Sequence, residues 1–248
     1  MTLEGKTAIV TGGGRDIGRA CALALTARGA KVVISYHASS AGADSVVKDI
    51  TGKGGTAQAV HCDLTTREGV EALVAAAKAM GGQVDVLVNN TGGLVARKTM
   101  AEMDLDHWQA VMDLNVTSTF MMTKACLPLM GKGGTIINFS SLAGRDGGGP
   151  GAIAYATAKG AIMTMTRGLA KELGPEIRVN ALCPGMISTG FHDTFTPDAA
   201  RKNVAAATPL KREGDPREIG ETVAFLASDE SGFINGACID TNGGVAFS

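Results

Sequence analysis

Short runs of β-branched and apolar residues at 6–11, 31–35, 56–60, 84–89, 135–139 and 178–182 alternate with longer stretches whose apolar positions recur every three or four residues, at 17–28, 40–51, 67–80, 104–130 and 152–173. The first set predicts strands and the second helices. Strict alternation of the two implies right-handed crossovers, and so an α/β fold with a doubly wound parallel sheet covered by helices on both faces. Ligands of such sheets bind beyond the carboxyl ends of the strands, which makes residues just after each strand the candidates for chemistry. No internal repeat or linker interrupts the pattern, so a single domain over 1–248 is expected. Residues 185–211 carry few strand signals and predict a substrate lid containing a short helix. The stretch from Gly236 through Asp240 to Gly244 reads as the last strand and its exit.

Composition narrows the function classes. The 34 glycines are dispersed between periodic segments, as tight strand-to-helix turns require. Lys+Arg at 23 against Asp+Glu at 24, with no basic run, argues against nucleic acid as a partner. Cys21, Cys62, Cys126, Cys183 and Cys238 are scattered and never paired as CxxC, which predicts neither a disulfide framework nor a zinc site. His61 and Asp63 project the same way from a strand, but two ligands do not make a metal site, and none is predicted. Charged Glu4 and Lys6 at the start, and no apolar stretch near the ~18 residues of a membrane span, lead to the expectation of a cytoplasmic protein with no membrane partner.

The first strand ends in Thr11, Gly12, Gly13, Gly14, Arg15, Asp16, Ile17, Gly18 and runs into a helix. Glycines there permit a tight turn and close backbone approach, while the helix N-terminus offers free N–H groups to a pyrophosphate, so the turn predicts a dinucleotide site. After the second strand, where an acidic residue would hold the 2′-hydroxyl of NAD, the chain reads Ser35, Tyr36, His37, Ala38, Ser39, Ser40. With Arg15 available to a 2′-phosphate and hydroxyls on Tyr36, Ser39 and Ser40 to complete the pocket, NADP is preferred over NAD. Ser39 and Ser40 also suit the plain role of helix N-cap.

Tyr155 and Lys159 lie four residues apart within the 152–173 helix, so their side chains share a face. A cation ~4 Å from a phenol is worth ~4 kcal/mol at an effective dielectric of ~20, enough to lower the phenol by roughly three pKa units toward working range. The pair therefore predicts an acid/base centre.

With the glycine turn, Asn89 and Asn90 after the fourth strand and this Tyr/Lys pair in order, the whole chain resembles the short-chain dehydrogenase/reductase family and its 3-oxoacyl-acyl-carrier-protein reductase-like members. The resemblance implies a Rossmann-type fold, a nicotinamide cofactor and hydride transfer to or from a ketone or secondary alcohol. It makes Tyr155 the proton donor in reduction, Lys159 the residue that lowers its pKa and holds the nicotinamide ribose, Ser141 the donor that orients the substrate oxygen, and Asn115 the residue holding a water in the proton relay. On the cofactor it implies contacts from Gly12, Gly14, Arg15, Asp16 and Ile17, from Asp63 and Leu64 at the adenine, from Asn90, Thr91 and Gly92, from Tyr155 and Lys159, and from Pro184, Gly185, Ile187 and Thr189 near the carboxamide and diphosphate; Asn89 is structural. It also implies a homotetramer, which fits the small and apolar Ala158, Ala161 and Met165 on the later helix.

Three positions depart from the family pattern. Asp16 replaces a glycine and is expected to be offset by Arg15 or Arg19; Thr91 replaces an alanine; and the loop 145–151 before Tyr155 is one residue longer than is common. Leu94, Val95, Met100, Ile153, Met186 and Phe191 predict an apolar substrate pocket. The leading expectation is an NADP(H)-dependent ketoreductase acting on 3-oxoacyl thioesters; an NAD-dependent sugar or polyol dehydrogenase and a non-catalytic NADP-binding sensor are the alternatives.

Overall fold

In the computed structural model, which describes residues 2–247, seven strands form one parallel sheet in the order β3-β2-β1-β4-β5-β6-β7. Met1 and Ser248, the ends of the expected domain, lie outside the described residues. The elements run β1 (Thr7–Val10), α1 (Asp16–Thr26), β2 (Lys31–Tyr36), α2 (Ser40–Thr51), β3 (Ala57–His61), α3 (Arg67–Gly81), β4 (Val86–Asn89), α4 (Leu105–Met112), α5 (Ser118–Cys126), β5 (Gly134–Phe139), α6 (Ala143–Asp146), α7 (Ile153–Leu173), β6 (Ile177–Pro184), α8 (Gly190–Phe195), α9 (Asp198–Ala207), α10 (Pro216–Ala227) and β7 (Cys238–Thr241).

The strands lack polar alternation because both faces are buried. Successive residues Ile9 and Val10, Val33 and Ile34, Leu87 and Val88, Ile136 and Ile137 go to opposite core layers, one under α1, α2 and α10 and the other under α3 and α5. From β1 the chain winds outward to β3, then crosses back to pair β4 with β1, Val10 lying opposite both Ile34 and Val88. That reversal leaves a crevice above the carboxyl ends of β1 and β4, where the glycine turn and Asn90 both emerge.

Two expectations change. The stretch 104–130 is not one helix: a π turn at Asp113–Thr117 separates α4 from α5, and a short 3₁₀ turn at Leu127–Leu129 follows. Asn115 sits in that π turn, fully buried, with its amide donating to Val111 O and Gly93 O at 2.8 Å each, so a side chain takes a carbonyl the α-helical ladder would otherwise use. Helix α10 was not foreseen, although its signals were present: Asp215 and Glu218 form a capping box, Pro216 opens the first turn, and Ile219, Val223 and Leu226 repeat at helical spacing. It packs on α1 so closely that a Cβ at Gly220 would lie 2.5 Å from Ala20 O. The excursion 185–211 holds two helices, α8 and α9, rather than one. Ala158 is buried against Val111 and Ala154 of the same chain. Among the described residues no helix is long and apolar enough to cross a membrane.

Candidate active site

A cleft of about 940 Å³ gathers the glycine turn, residues 90–92, Ser141, Tyr155, Lys159, Pro184, Gly185, Ile187 and Thr189. A second cleft of about 870 Å³ lies between β7 and α10, and of the predicted catalytic and cofactor-binding residues it touches only Ile187. Of those residues only Asn115 and Ser40 do not line the first cleft. Ser40 is the exposed first residue of α2, and Asn115 lies behind the wall.

The turn after β1 is tied down on every side. Gly12 N donates to Ser35 Oγ at 3.0 Å and Gly13 N to Ser35 O at 2.9 Å, while Asn90 Nδ2 donates to Thr11 O at 2.9 Å and to Gly12 O at 3.2 Å. Asn90 N and Thr91 N both donate to Thr11 Oγ1 at 2.9 Å. Gly12 has φ +63°, and a Cβ at Gly18 would stand 2.1 Å from Gly12 O, so the turn and the first turn of α1 meet without side chains between them. No side chain caps the N-terminus of α1. Its free N–H groups and this glycine cradle fit a diphosphate.

Asp16 adopts φ +50°, a left-handed backbone that asparagine and aspartate tolerate better than most residues. Of the two arginines expected to offset its charge, Arg15 Nε lies 3.8 Å away, whereas Arg19 pairs with Asp49 instead. Asp16 Oδ1 accepts from Gly190 N at 3.2 Å, a contact across the cleft that the sequence did not announce. At the far end of the cleft, Ser39 makes no capping bond to α2 and lines the cleft with Tyr36. His37, overlooked in the sequence, lines it too, with its ring stacked 6.0 Å from His61, which in turn packs 5.3 Å from Tyr36. The position directly after β2 was the available signal. Asp63 accepts from Thr65 N at 2.9 Å and Thr65 Oγ1 at 2.7 Å, bonds that hold its carboxyl below the usual range and keep it an acceptor.

Around Tyr155 the polar groups converge. The phenol bonds to the Ser141 hydroxyl, and Ser141 Oγ also accepts from Ala143 N at 3.1 Å. Lys159 Nζ stands 5.6 Å from the Tyr155 ring centroid and donates to Phe139 O at 2.8 Å. A Cβ at Gly92 would meet Asn115 Oδ1 at 2.6 Å and Lys159 Nζ at 2.9 Å, so only glycine leaves these two polar atoms facing each other across the cleft wall. Asn115 Oδ1 accepts from Gly93 N at 3.1 Å. All of its hydrogen-bonding groups thus go to backbone.

One electrostatic expectation is corrected here. Burial pushes the Tyr155 phenol above its usual pKa, with the Ser141 bond opposing. The Lys159 ammonium lies against the ring and is bound to a carbonyl, so desolvation outweighs its attraction. Lys159 itself is 4% exposed, and burial pushes it down to about 8. The unfolded chain keeps this proton up to ~10.4, so between those values the folded chain binds fewer protons and this group makes stability rise with pH, by at most about 3 kcal/mol. Lys159→Met is expected to flatten that part of the profile in urea unfolding at pH 8 and pH 10. An unchanged slope in the variant would assign it to other groups.

Ser141 is held from behind. Gly144 lets α6 lie on α7, since a Cβ there would be 2.8 Å from the Lys159 carbonyl carbon, and Arg145 clamps α6 to β7 through Asp240 Oδ1 and Cys238 O, both at 2.7 Å. The long loop before Tyr155 turns on Gly147, Gly148 and Gly151, all at φ between +71° and +85°. Arg97, also overlooked, donates to Pro150 O at 2.7 Å and Phe195 O at 3.0 Å. Of the predicted apolar pocket, Leu94, Met186 and Phe191 line the cleft, Phe191 with its ring 5.9 Å from that of Tyr155. Val95, Met100 and Ile153 do not, and are 47%, 75% and 46% exposed. Their positions lie outside the cleft wall.

Comparison with known proteins decides the family. Residues 12–246 match the family described as Enoyl-(Acyl carrier protein) reductase. A short-chain dehydrogenase/reductase of the glucose/ribitol dehydrogenase type from Brucella melitensis superposes with a TM-score of 0.93 at 31% identity, covering 100% of both chains. The chain belongs to the short-chain dehydrogenase/reductase family. The 3-oxoacyl-acyl-carrier-protein reductase of Synechocystis is 40% identical over 98% of each chain, and a blue fluorescent protein from a metagenomic library, solved with NADPH, is 35% identical with a TM-score of 0.92 over 100% of each. This short-chain dehydrogenase/reductase is therefore an oxidoreductase of the NAD(P)-dependent kind that interconverts CH–OH and C=O.

Proposed function

We propose that the chain is an NADP(H)-dependent ketoreductase, with 3-oxoacyl thioesters as its leading substrate class. The observation that carries the reading is the convergence of Tyr155, Ser141 and Lys159 in the same cleft as an uncapped, glycine-lined helix N-terminus. A bound nicotinamide supplies the hydride. Gly12, Gly14 and Ile17 hold the diphosphate, Asp63 and Leu64 the adenine, Asn90, Thr91 and Gly92 the adjoining wall, and Pro184, Gly185, Ile187 and Thr189 the carboxamide end.

Tyr155 Oη gives its proton to the substrate oxygen, to which Ser141 Oγ donates a second hydrogen bond; two donors aimed at one developing oxyanion are a preorganised stabilisation worth several kcal/mol. The raised phenol suits this direction, because it arrives protonated at neutral pH. Lys159 Nζ serves the ribose, and Asn115 fixes Gly93 through both its amide nitrogen and its oxygen.

Two observations support NADP. Arg15 has a side chain 69% exposed at the cleft rim, and no acidic residue follows β2. The NADPH in the metagenomic relative points the same way. Initial rates read at the nicotinamide absorbance band over acetoacetyl thioesters, cyclic ketones, aldoses and polyols, with each cofactor, test the reading. The expected result is ketone reduction with kcat/KM about tenfold or more in favour of NADPH, and loss of that preference in Arg15→Ala, since one charge-assisted contact is worth about 1.5–3 kcal/mol. Oxidation of aldoses or polyols with NAD, without ketone reduction, would favour the sugar dehydrogenase alternative. Cofactor binding without turnover on any of them would favour the sensor.

A further inference from the structure

Asp16 places a carboxylate, on left-handed backbone, at the mouth of a cleft built for an anion. Nothing in phosphate binding calls for it, yet its Oδ1 accepts from Gly190 N at 3.2 Å, joining the first turn of α1 to the first residue of α8 across 174 positions of sequence. At the other end of α8, Arg97 Nε donates to Phe195 O at 3.0 Å while its Nη1 holds Pro150 O in the loop before Tyr155. Between these anchors α8 is internally braced, Thr194 Oγ1 bonding Gly190 O at 2.9 Å, His192 Nδ1 and Thr196 Oγ1 pairing at 2.9 Å, and Phe191 packing on Phe195 at 5.1 Å. Phe191 faces the other way as well, 5.9 Å from Tyr155.

We propose that Asp16 is a positioning residue for ketone reduction: its carboxylate clasps α8 from the cofactor side while Arg97 clasps it from the loop side, and together they hold Phe191 over the substrate beside Tyr155. The function of the clasp rests on the ketoreductase reading; its existence does not. Asp16 touches no reacting atom, so its loss acts on substrate capture and leaves proton transfer at saturation intact. The carboxylate serves here as a hydrogen-bond acceptor, which the amide of asparagine reproduces on the same left-handed backbone.

The test uses the full chain without added cofactor, by hydrogen exchange of the peptide spanning 186–196, and then steady-state kinetics with NADPH and acetoacetyl thioester. Asp16→Gly is expected to speed exchange in that peptide by about fivefold or more, as opening of a local unit freed of one anchor requires. It should raise KM for the ketone about tenfold with kcat within about twofold. Asp16→Asn, which keeps the acceptor oxygen, should restore slow exchange in that peptide and most of the KM loss seen in Asp16→Gly. Wild-type exchange in Asp16→Gly, or equal damage in Asp16→Asn, would overturn the proposal. Exchange that responds as expected in a chain reducing no ketone would retain the clasp and reject the ketoreductase reading.

Discussion

Tyr155→Phe is expected to lower kcat for ketone reduction by about 10³-fold, in the middle of the range that a positioned general acid contributes. The substitution removes one hydroxyl and leaves the rest of the side chain's surroundings in place. The ring keeps its contacts with Phe191 and with the Lys159 ammonium, so the shape of the cleft is retained. Stability should change little, because what is lost is the bond to Ser141, about 1 kcal/mol, while a phenol that burial already disfavours in its ionised form carries no charge to strand. NADPH affinity, read by fluorescence titration, should stay within about twofold, since the proposed ribose contact is that of Lys159. Single-turnover rates with saturating NADPH give the cleanest measure. A variant that kept more than about a tenth of wild-type kcat would move the proton donor elsewhere in the cleft.

Gly18→Ala is expected to destroy the proposed cofactor site with one methyl group. That methyl would stand 2.1 Å from Gly12 O and 2.8 Å from Asn90 Nδ2, and both neighbours are fixed, the first by the backbone of the turn and the second by its bonds to Thr11 O and Gly12 O. No flexible side chain can yield. The turn and α1 must separate, at a cost of about 1–3 kcal/mol in the folded chain, and the diphosphate cradle opens with them. NADPH affinity should fall at least about 100-fold, beyond what the stability loss alone predicts, because the cradle N–H groups no longer converge. Gly168→Ala in α7 is the control: a Cβ there has open space, and alanine in a helix interior is favoured by up to about 1 kcal/mol. If Gly18→Ala bound NADPH like the wild type, the turn would not be the diphosphate site.

Much of this was legible in the residues. Six strands follow from short β-branched apolar runs, and the α1, α2, α3 and α7 helices and the shared face of Tyr155 and Lys159 from the 3.6 period, all of which are local properties. Helix α10 was equally legible, with its Asp215–Glu218 box and Ile219, Val223 and Leu226. The π turn was not, because it depends on Asn115 meeting Gly93 from 22 residues away. The sign of the Tyr155 shift was not legible either. Spacing along a helix shows that an ammonium is near a phenol, but not that the ammonium is buried and spent on Phe139 O while the phenol is half-buried.

The division follows the range of the forces. By itself the sequence determined the alternating α/β order, the glycine turn, the missing acidic residue after β2 and the shared face of Tyr155 and Lys159, each set by neighbours within a few positions. Tertiary structure alone decided that Arg145 reaches Asp240 across 95 residues to steady Ser141, that Arg97 spans to Phe195 across 98, and that Asp16 reaches Gly190 across 174. Hydrogen bonds act only within about 3 Å, and no local pattern says which distant groups the sheet will bring that close.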